Sequence, residues 1–321
     1  MDLKIIAIFF LVVFRVNAQV HEFSVQEYPA LIVKGQNMDI KISEFTGNNI
    51  RITGAANKNH WAFKNLSGKG LILEEILKDN RKDLITGLDT PKHKLIIQVP
   101  NIPVEISGYK VDVLVENVKK EVKVVSSFGS LRFIKTAGEM IVALNNGDVL
   151  MESHNGKLKL DGEQIKLNIK NSTLDGEYRV QNLKLDMDKT HGYQQVHAFA
   201  GNVNLNQNSG SYLIEMTKGS LSSIANQGRL EAVMDEANTE VRLVKDNELN
   251  IKTKTGKVFI NSNNVTGIWL NLKSTEGDVY LPNPLKPQKL KTENLFKGRT
   301  SGDKTLTRAE IKTINAPIII K

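Results

Sequence analysis

Glycine returns every nine residues through the middle of this chain, and that rhythm narrows the fold more than any other feature. Gly129, Gly138, Gly147 and Gly156 are evenly spaced, as are Gly192, Gly201, Gly210, Gly219 and Gly228, and Asn238, Asn247 and Gly256 carry the rhythm on. Most markers precede a short alternating segment, as in Gly147-Asp-Val149-Leu-Met151, Gly201-Asn-Val203-Asn-Leu205 and Gly277-Asp-Val279-Tyr-Leu281. A two-residue alternation puts the apolar side chains on one face of an extended strand. Glycine or asparagine before each strand is suited to the positive φ of a tight corner, so Gly147→Val is expected to destabilise the fold. A five-residue strand with a four-residue corner cannot bury its own apolar face, but a stack of copies can. The expectation is an all-β solenoid, a parallel β-helix or β-roll with strand–corner repeats of about nine residues. Helical readings fail because glycine recurs too often and no 3.6-residue period appears.

The rhythm divides the chain. Residues 111–281 read as the regular stack, although the spacing slips between Asp161 and Gln181. Residues 19–110 are strand-like without the nine-residue period and read as irregular first rungs and a cap, with Leu73–Leu84 a short helix or an excursion loop. Residues 282–304 hold Pro282, Pro284 and Pro287 among many lysines, and proline confines them to a loop or an edge-covering segment. Residues 305–321 return to strand pattern and read as closing strands.

The N-terminus reads as an export signal. Lys4 precedes an apolar run from Ile5 to Phe14, too short to cross a bilayer, and Val16 and Ala18 stand where signal peptidase reads small residues. Residues 1–18 are therefore expected to be a signal peptide, with the mature chain exported to a periplasm or cell surface. No later segment reads as a membrane span. The absence of cysteine excludes disulfides and thiolate zinc sites, and it fits a bacterial envelope. The formal charge is +8. Such a balance outside the cytosol favours an anionic envelope polymer or lipid surface, with another envelope protein as the other partner class. Nucleic acid is disfavoured by export and by the lack of clustered Arg with interleaved aromatics. Oligomeric state is not legible.

Several motifs carry a family resemblance: Leu95-Ile-Ile-Gln-Val99-Pro100, Asn146-Gly147-Asp148-Val149, Thr275-Glu-Gly277-Asp278-Val279-Tyr-Leu281-Pro282, and the strands of Ile311–Ile320. In these, most of residues 31–321 resembles the bacterial putative-adhesin β-helix domain family of the auto-transporter adhesin-head-like type. The resemblance implies a right-handed β-helix or β-roll outside the cytoplasm. It brings no catalytic residues.

Candidate sites weigh toward a surface rather than a centre. A calcium roll needs an Asp at each corner, and Lys157 and Ser211 stand where ligands should be. His191 and His197 lie close in sequence but lack a third metal ligand. Asp186 and Asp188 share a strand face, as a glycosidase pair could, with Lys184 and Lys189 beside them and only Trp61 and Trp269 as tryptophan platforms. No Gly-x-Ser-x-Gly elbow occurs. No cofactor or metal is expected. What remains is a basic stripe of Lys157, Lys159, Lys166, Lys170, Arg179 and Lys184 as a candidate contact face, against the plainer reading of lysines that guard strand edges. The sequence thus points to a non-enzymatic, adhesin-like binding or scaffolding protein. A polysaccharide-acting enzyme and a self-assembling structural subunit are the alternatives.

Overall fold

The computed structural model describes residues 20–54, 61–66, 68–76, 92–245, 247–262, 265–300, 302 and 307–321, and among these there are strands and no helix. The N-terminal part holds β1 (Val20–Ser24), β2 (Leu31–Gly35), β3 (Met38–Glu44), β4 (Asn49–Thr53), β5 (Trp61–Asn65), β6 (Leu71–Glu75) and β7 (His93–Val99). The long strands follow: β8 (Val104–Glu116), β9 (Val122–Ile134), β10 (Ala137–Glu152), β11 (Asn155–Lys170), β12 (Thr173–Asp188), β13 (His191–Asn206), β14 (Ser209–Ile224) and β15 (Gln227–Arg242). The C-terminal part holds β16 (Asn247–Thr255), β17 (Val258–Asn261), β18 (Trp269–Ser274), β19 (Val279–Tyr280), β20 (Gln288–Lys289), β21 (Asn294–Arg299), β22 (Arg308–Asn315) and β23 (Ile318–Ile320). The signal segment lies outside the described residues. So do residues 77–84 of the expected helix or loop, whose start, Leu73–Glu75, is strand in β6.

The chain forms a β-solenoid of parallel strands. From β9 to β15 each residue lies beside the one eighteen positions on, so that Met140 sits between Val122 and Leu158. One turn is therefore two of the nine-residue units. Burial parity changes inside each long strand. In β11, Leu158 and Leu160 point inward before the middle, and Ile165, Leu167 and Ile169 after it. Each strand thus bends once and gives its first half to one wall (wall A) and its second half to another (wall B), around a shared apolar core. Each such Leu, Ile or Val contributes about 1.5–3 kcal/mol on burial.

The glycine rhythm resolves into two columns half a turn apart, one through Gly129 and Gly147, the other through Gly138 and Gly156. A Cβ on Gly147 would collide with the carbonyl oxygen of Gly129 in the rung beneath, so close backbone approach dictates glycine there. Between Asp161 and Gln181 the register does not slip. Ile165, Leu174 and Leu183 occupy the glycine columns and turn their side chains into the core. The glycine spacing breaks there without a break in register, because an inward Leu or Ile can also leave the surface bare.

The glycine columns do carry the expected positive φ, as at Gly138 (91°), Gly210 (129°) and Gly228 (104°), and a second positive-φ corner lies elsewhere. Asn117, Lys135, Ser153, Asn171, Lys189, Gln207 and Ala225 recur every eighteen residues with φ between 48° and 61°, and not one is glycine. The next residue in each turn from Lys135 onward is polar and buried: Thr136, His154, Ser172, Thr190, Asn208 and Asn226. These side chains serve the backbone of neighbouring rungs. The Thr190 N–H donates to Asn208 Oδ1 at 2.7 Å, and the Asn208 N–H to Asn226 Oδ1 at 2.7 Å. The His154 N–H donates to Ser172 Oγ at 3.0 Å. Most of these buried polar atoms are tolerated because they are paired, the exception being His154 Nε2, which is buried without a partner among the described residues.

Both ends depart from sequence order. β2 and β3 pair in parallel with the two halves of β8, and on their far side with β6 and β7. Antiparallel strands finish that end: β5 pairs with β6, β4 with β7, and β1 with β4. At the other end β22 lies between β16 and β18, and β23 between β17 and β19. The expected closing strands are therefore internal, held by neighbours on both sides. The outermost strands of wall A are β21 and β20, which run antiparallel beyond β18 within the proline-containing 282–304 segment.

Candidate functional site

A long depression on the surface follows directly from a glycine column. Positions 147, 165, 183, 201 and 219 stack in register where wall A bends into wall B. Gly147, Gly201 and Gly219 have no side chain, and Ile165 and Leu183 are turned inward, so the column leaves a channel of about 870 Å³. One bank is Asn146, Gln164, Asn182, Ala200 and Lys218, and the other Asp148, Lys166, Lys184 and Asn202. Five rungs at about 4.8 Å give it a length of about 19 Å.

The banks are polar and extended. Asn146 Nδ2 donates to Gln164 Oε1 at 3.1 Å on the first bank, and Asn182 is next in register. Ser220 Oγ donates to Asn202 Oδ1 at 2.7 Å on the second. Lys166 and Lys184 share the second bank with Asp148, while Lys218 on the first bank pairs with Glu236 of the next rung at 3.5 Å. Aromatic rings stand at the same corner. Phe128 is in register with Asn146 and is 42% exposed; Tyr109 packs edge-on against it at 5.3 Å and is 56% exposed. Phe199, beside Ala200, is 55% exposed. The amides and ammonium groups of the lining, with exposed rings outside it at the same corner, suit sugar rings that carry negative charge.

The basic stripe expected from the sequence is not one face. Lys157, Lys159 and Arg179 stand on wall A, and Lys166, Lys170 and Lys184 on wall B, because inward parity reverses at the corner of every rung. Most of them also stand in ladders of alternating sign. Glu139, Lys157 and Asp175 are in register on wall A, as are Glu152, Lys170 and Asp188 on wall B. Lys159 pairs with Glu139 at 2.7 Å, and that hydrogen bond and charge raise the Lys159 pKa above its ordinary value. Arg179 pairs with Glu177. Lys166 and Lys184 line the channel, with Lys218 added by the fold.

The other candidates separate. Asp186 and Asp188 lie on wall B beyond the channel lining, and each accepts a hydrogen bond from the next rung, from Asn204 at 2.7 Å and Asn206 at 2.6 Å. His191 hydrogen-bonds Ser209 at 2.7 Å, while His197 pairs with Glu215 at 2.8 Å. No group of three His, Asp or Glu among the described residues could hold a metal ion. Trp61 is buried in β5, and Trp269 lies at the far end in β18. Sequence reasoning overlooked Phe128, Asn146, Gln164, Asn182 and Lys218. Their signal is an eighteen-residue period, which the nine-residue glycine rhythm masks by overlaying the two walls.

These features define a parallel β-solenoid with a polar channel along one corner. The chain belongs to the Toastrack DUF4097 family, whose family model matches residues 30–310. Among solved structures, one described as a "putative cell adhesion protein" from Clostridium sporogenes aligns over 95% of this chain and 99% of its own, with 12% identity and a TM-score of 0.22. No curated protein matches the chain.

Proposed function

We propose that this protein is an exported, non-enzymatic binding module that holds an acidic glycan of the cell envelope along its corner channel. The reading rests on one observation: three lysines and a row of side-chain amides line a channel that crosses five rungs, with exposed rings at the same corner just outside its lining. A channel built from a repeating backbone suits a ligand that itself repeats. The signal-like N-terminus and the resemblance to adhesin heads support a place in the envelope. Hydrolysis of a glycosidic bond needs two carboxyl groups about 5–9.5 Å apart, and Asp148 is the one carboxylate among the described lining residues. Binding is therefore favoured over catalysis.

The test is affinity electrophoresis or calorimetry with polygalacturonate, with neutral dextran as the control. Wild type should bind the acidic polymer, with affinity falling as salt rises. K166E/K184E/K218E should weaken it by about tenfold or more. Equal binding by that variant, or no binding at low salt, would overturn the reading.

A further inference from the structure

The positive charge of this protein is concentrated toward one end. Residues 247–321 carry 13 Lys and Arg against 6 Asp and Glu, whereas residues 111–246 carry 16 against 18. The fold concentrates that excess further. Lys252 of β16, Lys312 of β22 and Lys273 of β18 are in register, forming an outward column on wall A. Like charges directly opposite one another on a sheet are unfavourable, and this column of three exceeds the Lys166–Lys184 pair of the central rungs.

The column borders a pocket of about 340 Å³. Lys254 joins the three lysines there, and Val233 and Ile314 form its apolar shoulders, 41% and 47% exposed. Carboxylates offset part of the charge: Glu310 lies 2.7 Å from Lys312, Glu293 2.7 Å from Lys273, and Asp235 2.8 Å from Lys254. Lys252 has no ion pair among the described residues. Leu290, between Lys289 and Lys291 in sequence, is 45% exposed.

We infer that this end of wall A is a second binding surface, separate from the corner channel, that docks on the phosphate headgroups of an anionic bilayer. The ammonium column supplies charge complementary to phosphate esters, and Val233 and Ile314 are placed to enter the interfacial zone beside them. Each lysine near an anionic membrane adds attraction that decays within a Debye length, so a cluster binds where single lysines do not.

Vesicle flotation tests it with the mature chain. Phosphatidylglycerol-containing vesicles should carry the protein at low salt, and pure phosphatidylcholine vesicles should not. K252E/K273E/K312E, folded by circular dichroism, should lose about tenfold or more in partitioning, because all three side chains point outward. K166E/K184E/K218E should float as wild type does, which separates this surface from the channel. Equal flotation of the two triple variants, or no flotation of wild type, overturns the inference. Binding to a soluble glycerol-phosphate polymer without binding to vesicles would overturn the bilayer as the source of the phosphate.

Discussion

The central rungs and the C-terminal end are built from the same wall geometry, yet they pair their backbone differently. They also differ in how far like charges are stacked, two lysines at Lys166 and Lys184 against three at Lys252, Lys312 and Lys273. From β9 to β15 every residue has its neighbour eighteen positions away, and charge alternates up columns such as Glu152, Lys170 and Asp188. At the C-terminal end the neighbour of Lys252 is Lys312, sixty residues away, and like charges share a column. The difference teaches where this fold is constrained by its own repeat and where it is free to present a surface. Inside the stack each side chain must suit the copy above and below. At the ends, pairing is set once.

Substitutions can break or sharpen that contrast. Gly147→Val should have the largest effect, at least about 3 kcal/mol by urea unfolding, since its side chain would strike the backbone of Gly129 and the rigid stack cannot yield. Gly68, near the N-terminal end, is the control. It has a positive φ but nothing within 4 Å of where a Cβ would stand, so Gly68→Ala should cost no more than about 1 kcal/mol. Similar losses at the two sites would refute a difference between stack and cap.

Next in size is the buried pair inside β12 and β13. Gly176 leaves room for the Tyr178 ring, whose hydroxyl donates to Gln194 Oε1 at 2.6 Å, while Gln194 Nε2 donates to the Leu174 carbonyl at 2.7 Å. Burial holds the Tyr178 phenol neutral by pushing its pKa far up. Gln194→Leu should cost about 1–3 kcal/mol by leaving that hydroxyl unpaired, and adding Tyr178→Phe should recover part of the loss. A double variant no better than the single one would show that packing, not the hydrogen bond, holds the site.

A pH series probes the polar column. Burial lowers the pKa of His154 below the ordinary 6.5, with its Nδ1 3.0 Å from Thr136 Oγ1. Below 6.5 the unfolded chain binds the proton more readily than the folded one. This contribution to stability is therefore complete above that value and is lost as pH falls toward the depressed folded pKa. The melting temperature should drop as pH falls from about 6.5 to about 5, and less steeply in His154→Asn. Parallel curves for the two proteins would remove His154 as the cause.

The smallest change is expected on the outer wall. Asp188→Asn interrupts an exposed ladder and should shift stability by less than about 0.5 kcal/mol, as read from denaturant midpoints. A larger loss would make the alternating charges a structural feature of the stack rather than a solvated surface.

The amino-acid pattern by itself determined the strand content, the inward faces and the nine-residue unit, because burial writes an alternation into each strand that needs no knowledge of its neighbours. It did not reveal that two units make a turn. The left-handed corner is held by residues such as Lys135, Ser153, Gln207 and Ala225, whose types do not mark a left-handed turn, and their conformation is imposed by the rungs on either side. Only the tertiary structure decided which outward residues share a wall. Lys157 and Lys166 lie on one strand but on opposite sides of a bend, whereas Phe128, Asn146, Gln164 and Asn182 lie on four strands and meet at one corner. Solvated positions face no packing constraint that would mark them locally, and partners eighteen or sixty residues apart become neighbours only when the chain is wound. The insertion of β22 and β23 between earlier strands is the clearest case, since an apolar strand is satisfied by any matching edge and its sequence does not name which one.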